Sequence, residues 1–317
     1  MTTRYRMVAV AALVIGAAVG TTACGRYSLS ALKAQKSYKE ANDLYKASDW
    51  KGAAEKYEYV LAQDPARTEV YFYLGNSYDN AYKPARAGEA QNDAYMQKAV
   101  ESYKKAASED KSPEMKKLAL QYLVAAYGPE KLNDPSQAEP IIQQLVQMDP
   151  NEPNTYFALS KLYEDSGRYD EAEQALIKGR DVKPNDPAVY ATISGFYNRQ
   201  GNFEKTMEAL NKAAELDASN PQAHHLLAPY YQEKVTKDHR LTDAQKLQYI
   251  EAGLAAEEKT LAINADYVDA LVYKNILIRL KGNIEKDPAK RAELYKQADA
   301  IRNRAMELQK KKTAGTN

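Results

Sequence analysis

The chain has 317 residues, with 44 Lys and Arg against 43 Asp and Glu and a formal net charge of +1. That balance excludes a basic face built for nucleic acid and any strong pull toward an anionic surface. A single cysteine excludes an intrachain disulfide and a multi-cysteine metal site, while 25 tyrosines beside one tryptophan and four phenylalanines suit surfaces apolar on one side and wet on the other.

The chain begins with Arg4 and Arg6, then an uncharged run over 8–20, then "TTA" before Cys24. A basic start, a short apolar run and small residues predict a signal peptide over 1–23. The run is shorter than the roughly 20 residues a bilayer span needs. "TTAC" resembles the cleavage box of bacterial lipoproteins, with Thr21 where that box usually has Leu. The resemblance implies a lipidated Cys24, a membrane anchor and export. Gly25 after it favours the outer membrane, and 24–33 is expected to be a short tether.

Next comes "YKEANDLYKASDWKGAAEKYEYVLAQDP" (38–65), with apolar residues at helical spacing on both sides of Trp50. "YFYLGNSYDNAY" (71–82) predicts a helix whose partner is delayed to 94–110. The segments 118–127 and 137–150 form another pair. In the centre a period appears. Adding 34 carries Tyr156 to Tyr190, Ser160 to Ser194, Tyr163 to Tyr197, Gly167 to Gly201 and Leu176 to Leu210. Leu159 and Tyr163 share a helix face, Ser160 lets a second helix approach, and Gly167 ends the first helix. Pro153, Pro187 and Pro221 stand where the next first helices should start. Then 223–232 pairs with 247–265, and 268–280 with a charged closing helix over 287–309.

This period and these landmarks resemble the tetratricopeptide repeat (TPR). The resemblance implies an all-α, right-handed superhelical solenoid of about seven helix pairs over 34–309, ending in a capping helix, with 310–317 a disordered basic tail. The first helices would line a concave groove. Tyr38, Asn42, Phe72, Asn76, Phe157, Lys161, Asn198 and Arg199 would be its partner-binding residues. Amides can bond a peptide backbone and aromatics can anchor its side chains. Asn42 matches one asparagine of the carboxylate clamp of chaperone-binding TPR domains. Tyr38, Tyr73, Leu118 and Tyr122 replace the other four clamp residues, which disfavours recognition of a terminal carboxylate.

Three connections exceed the repeat, near 83–93, 128–137 and 233–245, and should emerge on one edge as candidate functional loops. No phosphate-binding loop, nucleophile elbow or zinc-protease run occurs. Adjacent His224 and His225 point about 100° apart on a helix and cannot readily share a metal. The expectation is therefore a non-enzymatic scaffold of the bacterial cell envelope, without cofactor, binding a protein or peptide partner and held to the membrane by its N-terminal lipid. Outer-membrane assembly, type IV pilus biogenesis or an accessory subunit of a cell-wall enzyme stand as narrower alternatives. The partner and the oligomeric state are left open.

Overall fold

A computed structural model describes residues 29–315, and among these every regular element is helical. The order is α1 (Leu29–Lys46), α2 (Trp50–Gln63), α3 (Val70–Ala81), a 3-10 turn (Pro84–Arg86), α4 (Ala90–Glu109), α5 (Pro113–Ala126), α6 (Pro135–Met148), α7 (Pro153–Asp165), α8 (Tyr169–Val182), α9 (Pro187–Arg199), α10 (Phe203–Leu216), α11 (Pro221–His225), α12 (Leu227–Lys237), α13 (Asp243–Ile263), α14 (Val268–Ile284) and α15 (Pro288–Ala314). The chain divides into two compact units, one up to Glu173 and one from Gln174, with the boundary inside α8. Each unit is a stack of helices packed on their chain neighbours, the all-α repeat fold expected from the sequence.

Helix starts follow from local chemistry. Asp134, Asp186, Asn220 and Asp287 each cap a helix through the side chain, with proline at the first turn behind them. Thr242 and Gln245 form a reciprocal capping box at the head of α13. Gly167 and Gly201 adopt φ of +72° and +67°, the left-handed conformation that ends α7 and α9.

In the first unit the core is aromatic. Tyr57, Tyr103 and Met96 are fully buried among Ala53, Ala99 and Leu123. Gly75 makes room on α3, since a Cβ there would lie 2.8 Å from the Tyr103 ring. Between repeats, the Tyr78 hydroxyl donates to Glu58 at 2.5 Å, and Lys98 reaches Glu58 at 2.9 Å and the Tyr78 oxygen at 3.0 Å. In the second unit, Met207, Leu210 and Leu227 form one apolar cluster, and Ile250, Leu277 and Ala298 form another.

Several expectations are corrected at this level. Residues 29–33 of the expected tether belong to α1. The expected tail is helical to Ala314, because lysines are good helix formers and the Gly315 N–H closes the last turn on Lys311 O. The helix expected over 223–232 is broken after His225. Pro229 lacks the N–H that would bond the His225 carbonyl, and its ring crowds that carbonyl. The long connection placed at 233–245 shrinks to 238–242, since α12 runs on to Lys237. The signal peptide and Cys24 lie outside the described residues.

Candidate functional site

A hydrogen-bonded ladder of amides and tyrosines runs through the first unit. It starts on α1, where Asn42 Oδ1 accepts from the Tyr57 hydroxyl at 2.7 Å. One turn later the Tyr45 hydroxyl donates to Asn76 Oδ1 on α3 at 2.5 Å. Asn80 Nδ2 donates to the same oxygen at 3.0 Å and to the Asn76 carbonyl at 2.8 Å. From Asn76 the ladder passes through Nδ2 to the Tyr103 oxygen at 3.5 Å, and the Tyr103 hydroxyl donates to Asp79 Oδ2 at 3.2 Å. It ends at Lys131, whose ammonium pairs with Asp79 Oδ1.

Each rung has a local cause. Asn76 and Asn80 are four apart on α3, so their side chains stack. Tyr103 descends from α4 into the space left by Gly75. Lys131 comes from the 128–134 loop, which is braced by backbone bonds from Leu132, Asn133 and Asp134 to Ala126, Gly128 and Tyr127. Burial pushes the Tyr45, Tyr57 and Tyr103 hydroxyls above their ordinary pKa, with the Asp79 charge adding to the effect at Tyr103. They therefore stay protonated and able to donate at neutral pH. Beside the ladder lies an aromatic bed. Tyr45 and Tyr73 meet edge-on at 5.8 Å, and Phe72 and Tyr122 at 5.2 Å, which sets α1, α3 and α5 side by side.

The expected contact residues separate into three groups. Phe72 and Asn76 are buried, 5% and 6% exposed, and so support the face rather than touch a partner. Both are corrected: Phe72 is enclosed by the Tyr73, Tyr103 and Tyr122 rings, and Asn76 is covered by its bonds to Tyr45 and Tyr103, which a two-helix frame leaves out. Tyr38, Asn42 and Phe157 are half-buried in the first unit, and Lys161 is exposed and paired with Asp165. Lys161 also borders a cavity of about 270 Å³ lined by Tyr127, Pro129, Ile142 and Leu162. Asn198 and Arg199 are exposed in the second unit, and Asn198 lines a groove there.

Lys131 and Tyr103 escaped the sequence reading. Tyr103 sits on the delayed second helix, and Lys131 in a loop with no place in the 34-residue period. Among the described residues no helix is long and apolar enough to cross a membrane, and no group of three or more His, Cys, Asp or Glu is placed to hold a metal ion.

Models of the tetratricopeptide repeat match residues 38–113, 131–196 and 187–220. Together they take in more than half of the chain, which belongs to the tetratricopeptide repeat family. Its members are protein-interaction scaffolds with extended binding surfaces. Among solved structures, the C-terminal part of a TPR repeat-containing protein from Cytophaga hutchinsonii is similar at 18% identity. That match covers 86% of this chain and 98% of the other, with a TM-score of 0.54. A MamA protein is similar at 20% identity over 66% of this chain and 98% of its own, with a TM-score of 0.44. YrrB, described as a TPR protein with an unusual peptide-binding site, is similar at 20% identity over 60% of this chain and 89% of its own, with a TM-score of 0.40. No curated protein matches the chain.

Proposed function

We propose that this protein is an exported scaffold that binds an extended segment of another cell-envelope protein along the face shared by α1, α3 and α5. The observation that carries the proposal is the amide–tyrosine ladder. It fixes Asn42, Tyr45 and Asn80 in defined rotamers beside the Tyr73 and Tyr122 rings. A partner backbone entering there meets oriented donors and acceptors that need no reordering, and preorganisation of this kind favours affinity. The face contributes binding, not chemistry: its tyrosine hydroxyls are held as neutral donors, and its one buried carboxylate, Asp79, is neutralised by Lys131.

Support for the cellular setting comes from the sequence. The basic start, the apolar run over 8–20 and the small residues before Cys24 suit export, lipidation at Cys24 and anchoring, with the outer membrane favoured by Gly25. A Cys24→Ala variant is expected to leave the membrane fraction or to keep the mass of the unprocessed chain.

The binding reading is tested by crosslinked capture from membranes. Wild type is compared with Asn80→Asp/Gln121→Glu/Lys161→Glu, which alters exposed side chains on first helices of the first unit. A protein captured by wild type and lost with the triple variant, at unchanged helical content, supports the reading. Equal capture by both would overturn it.

A further inference from the structure

The second unit carries a groove that the repeat frame does not supply. Its volume is about 700 Å³, and its lining includes Asn198, Phe203, Tyr230, Lys234, Lys237 and Arg240. The groove opens where α9 ends, α10 begins and α12 gives way to the 238–242 connection. One expected contact residue, Asn198, and one of the three long connections therefore converge on one place.

Three cations and two carboxylates line it, which leaves one positive charge in excess. Asp238 and Lys234 are mostly covered, at 14% and 18% exposed, whereas Arg240, Lys237 and Glu233 are 88%, 76% and 54% exposed. Asp238 faces inward. It accepts from the Arg240 backbone N–H at 3.2 Å, from Arg240 Nε at 2.9 Å and Nη2 at 3.1 Å, and it pairs with Lys234 at 3.2 Å. The Arg240 and Lys234 bonds hold its carboxyl far below the usual range, so it stays ionised. It thus orients two cations. Three guanidinium N–H donors of Arg240 remain beyond those two bonds. Lys237 pairs with Glu233 at 2.5 Å at the outer rim. The floor is aromatic: Lys234 lies 4.9 Å from the Phe203 ring centroid, and Phe203 is fixed edge-on against Tyr249 at 5.4 Å. The capping box at Thr242 and Gln245 holds the far end of the connection.

A floor of aromatic rings under an outward-facing cationic rim complements one ligand chemistry: an extended peptide bearing carboxylates around an apolar side chain. We propose that this groove is a second binding site, carried by the second unit alone, and that it takes an acidic segment of a partner protein. Arg240 would engage a carboxylate in a two-pronged bond, Lys237 would meet a second, and an apolar side chain would rest on Phe203 and Tyr230.

The test is a titration of the full chain with a labelled peptide of glutamates flanking a central phenylalanine, beside the same peptide with glutamines for the glutamates. The glutamate peptide is expected to bind, and to bind about tenfold more weakly to Lys237→Glu/Arg240→Glu, since each rim charge then repels it. The glutamine peptide should bind weakly to both. Arg240→Glu also strips two bonds from Asp238, so binding is measured below the variant's own melting transition, and Lys237→Glu and Asn198→Ala, which leave Asp238 its partners, should each weaken binding as well. Equal affinity for the glutamate and glutamine peptides, or equal binding to wild type and the reversed variant, would overturn the proposal. The membrane capture that probes the first unit should be unaffected by these substitutions, so the two readings fail separately.

Discussion

The two units share one repeat frame and fill it differently. In the first, the space between helices is taken by rings, and their polar tips are paired: Tyr57 with Asn42, and Tyr45 and Tyr103 through Asn76, Asn80 and Asp79 in a connected set. In the second, the buried space is taken mainly by aliphatic side chains such as Leu210, Ile250 and Leu277, with rings such as Phe203, Tyr231 and Tyr249 packed against them. Its buried carboxylate forms a local pair: His225 Nδ1 and Glu257 Oε1 lie 2.9 Å apart, with the other Glu257 oxygen buried and unpartnered. The contrast shows what the period constrains. It requires small residues where helices approach, and leaves open whether a ring or an aliphatic group enters the gap. A ring brings a hydroxyl that must find a partner, so the aromatic unit acquires a polar network as a consequence of its packing.

The contrast can be broken from either side, and Trp50 lets each unit be followed separately. It is the chain's one tryptophan and lies in the first unit, 5.2 Å edge-on from Tyr45. Its fluorescence reports that unit, while far-ultraviolet circular dichroism reports both. The largest effect is expected for Tyr103→Ala, which empties a fully buried site and strips a donor from Asp79, at about 4 kcal/mol in urea unfolding followed at Trp50. A fluorescence midpoint within error of wild type would show that the ladder is not the unit's core. Lys131→Met should cost about 2 kcal/mol by the same readout, because it leaves the buried Asp79 carboxylate with only the Tyr103 donor. Pairing it with Asp79→Asn in a double-mutant cycle isolates the coupling.

Gly75→Ala and Gly253→Ala sharpen the comparison at a smaller scale. The new Cβ would lie 2.8 Å from the Tyr103 ring in the first and 2.9 Å from the Leu277 methyl in the second. A rigid ring in a ladder cannot yield as a leucine tip can. Gly75→Ala should therefore cost about 2 kcal/mol and Gly253→Ala less than about 1 kcal/mol. Equal costs would erase the distinction between ring-filled and aliphatic-filled gaps.

The smallest effect concerns pH. Burial raises the Glu257 carboxyl pKa, against the opposing bond from His225. A carboxyl with a raised folded-state pKa contributes stability that is full below its unfolded pKa of about 4.3 and is lost as pH rises through the folded value. Glu257→Gln removes that loss. Its melting temperature should draw ahead of wild type as pH rises from 4 toward 8. A gap that stays constant with pH would mean that Glu257 does not titrate in this window.

Much of the architecture was legible in the residues themselves. The 34-residue spacing, the prolines at helix starts and the glycines after α7 and α9 reflect local chemistry, and the helices they predicted exist, the one over 223–232 in two pieces. The break at Leu226 could be read from Pro229 alone, and the extension to Ala314 from the helix propensity of lysine.

What the residues could not show is depth. Phe72 and Asn76 sit at repeat positions that face outward from a single helix pair, yet Tyr73, Tyr103 and Tyr122 close over Phe72, and Tyr45 and Tyr103 over Asn76. The bond from Lys131 to Asp79 joins residues 52 apart through a loop outside the period. The groove at Asn198 needs α9, α12 and the 238–242 connection to meet. Period and capping depend on neighbours within one or two helical turns, so one chain suffices to read them. Burial and long-range pairing depend on which helices pack together and how closely, and that is decided only when the side chains of separate repeats fill the same space.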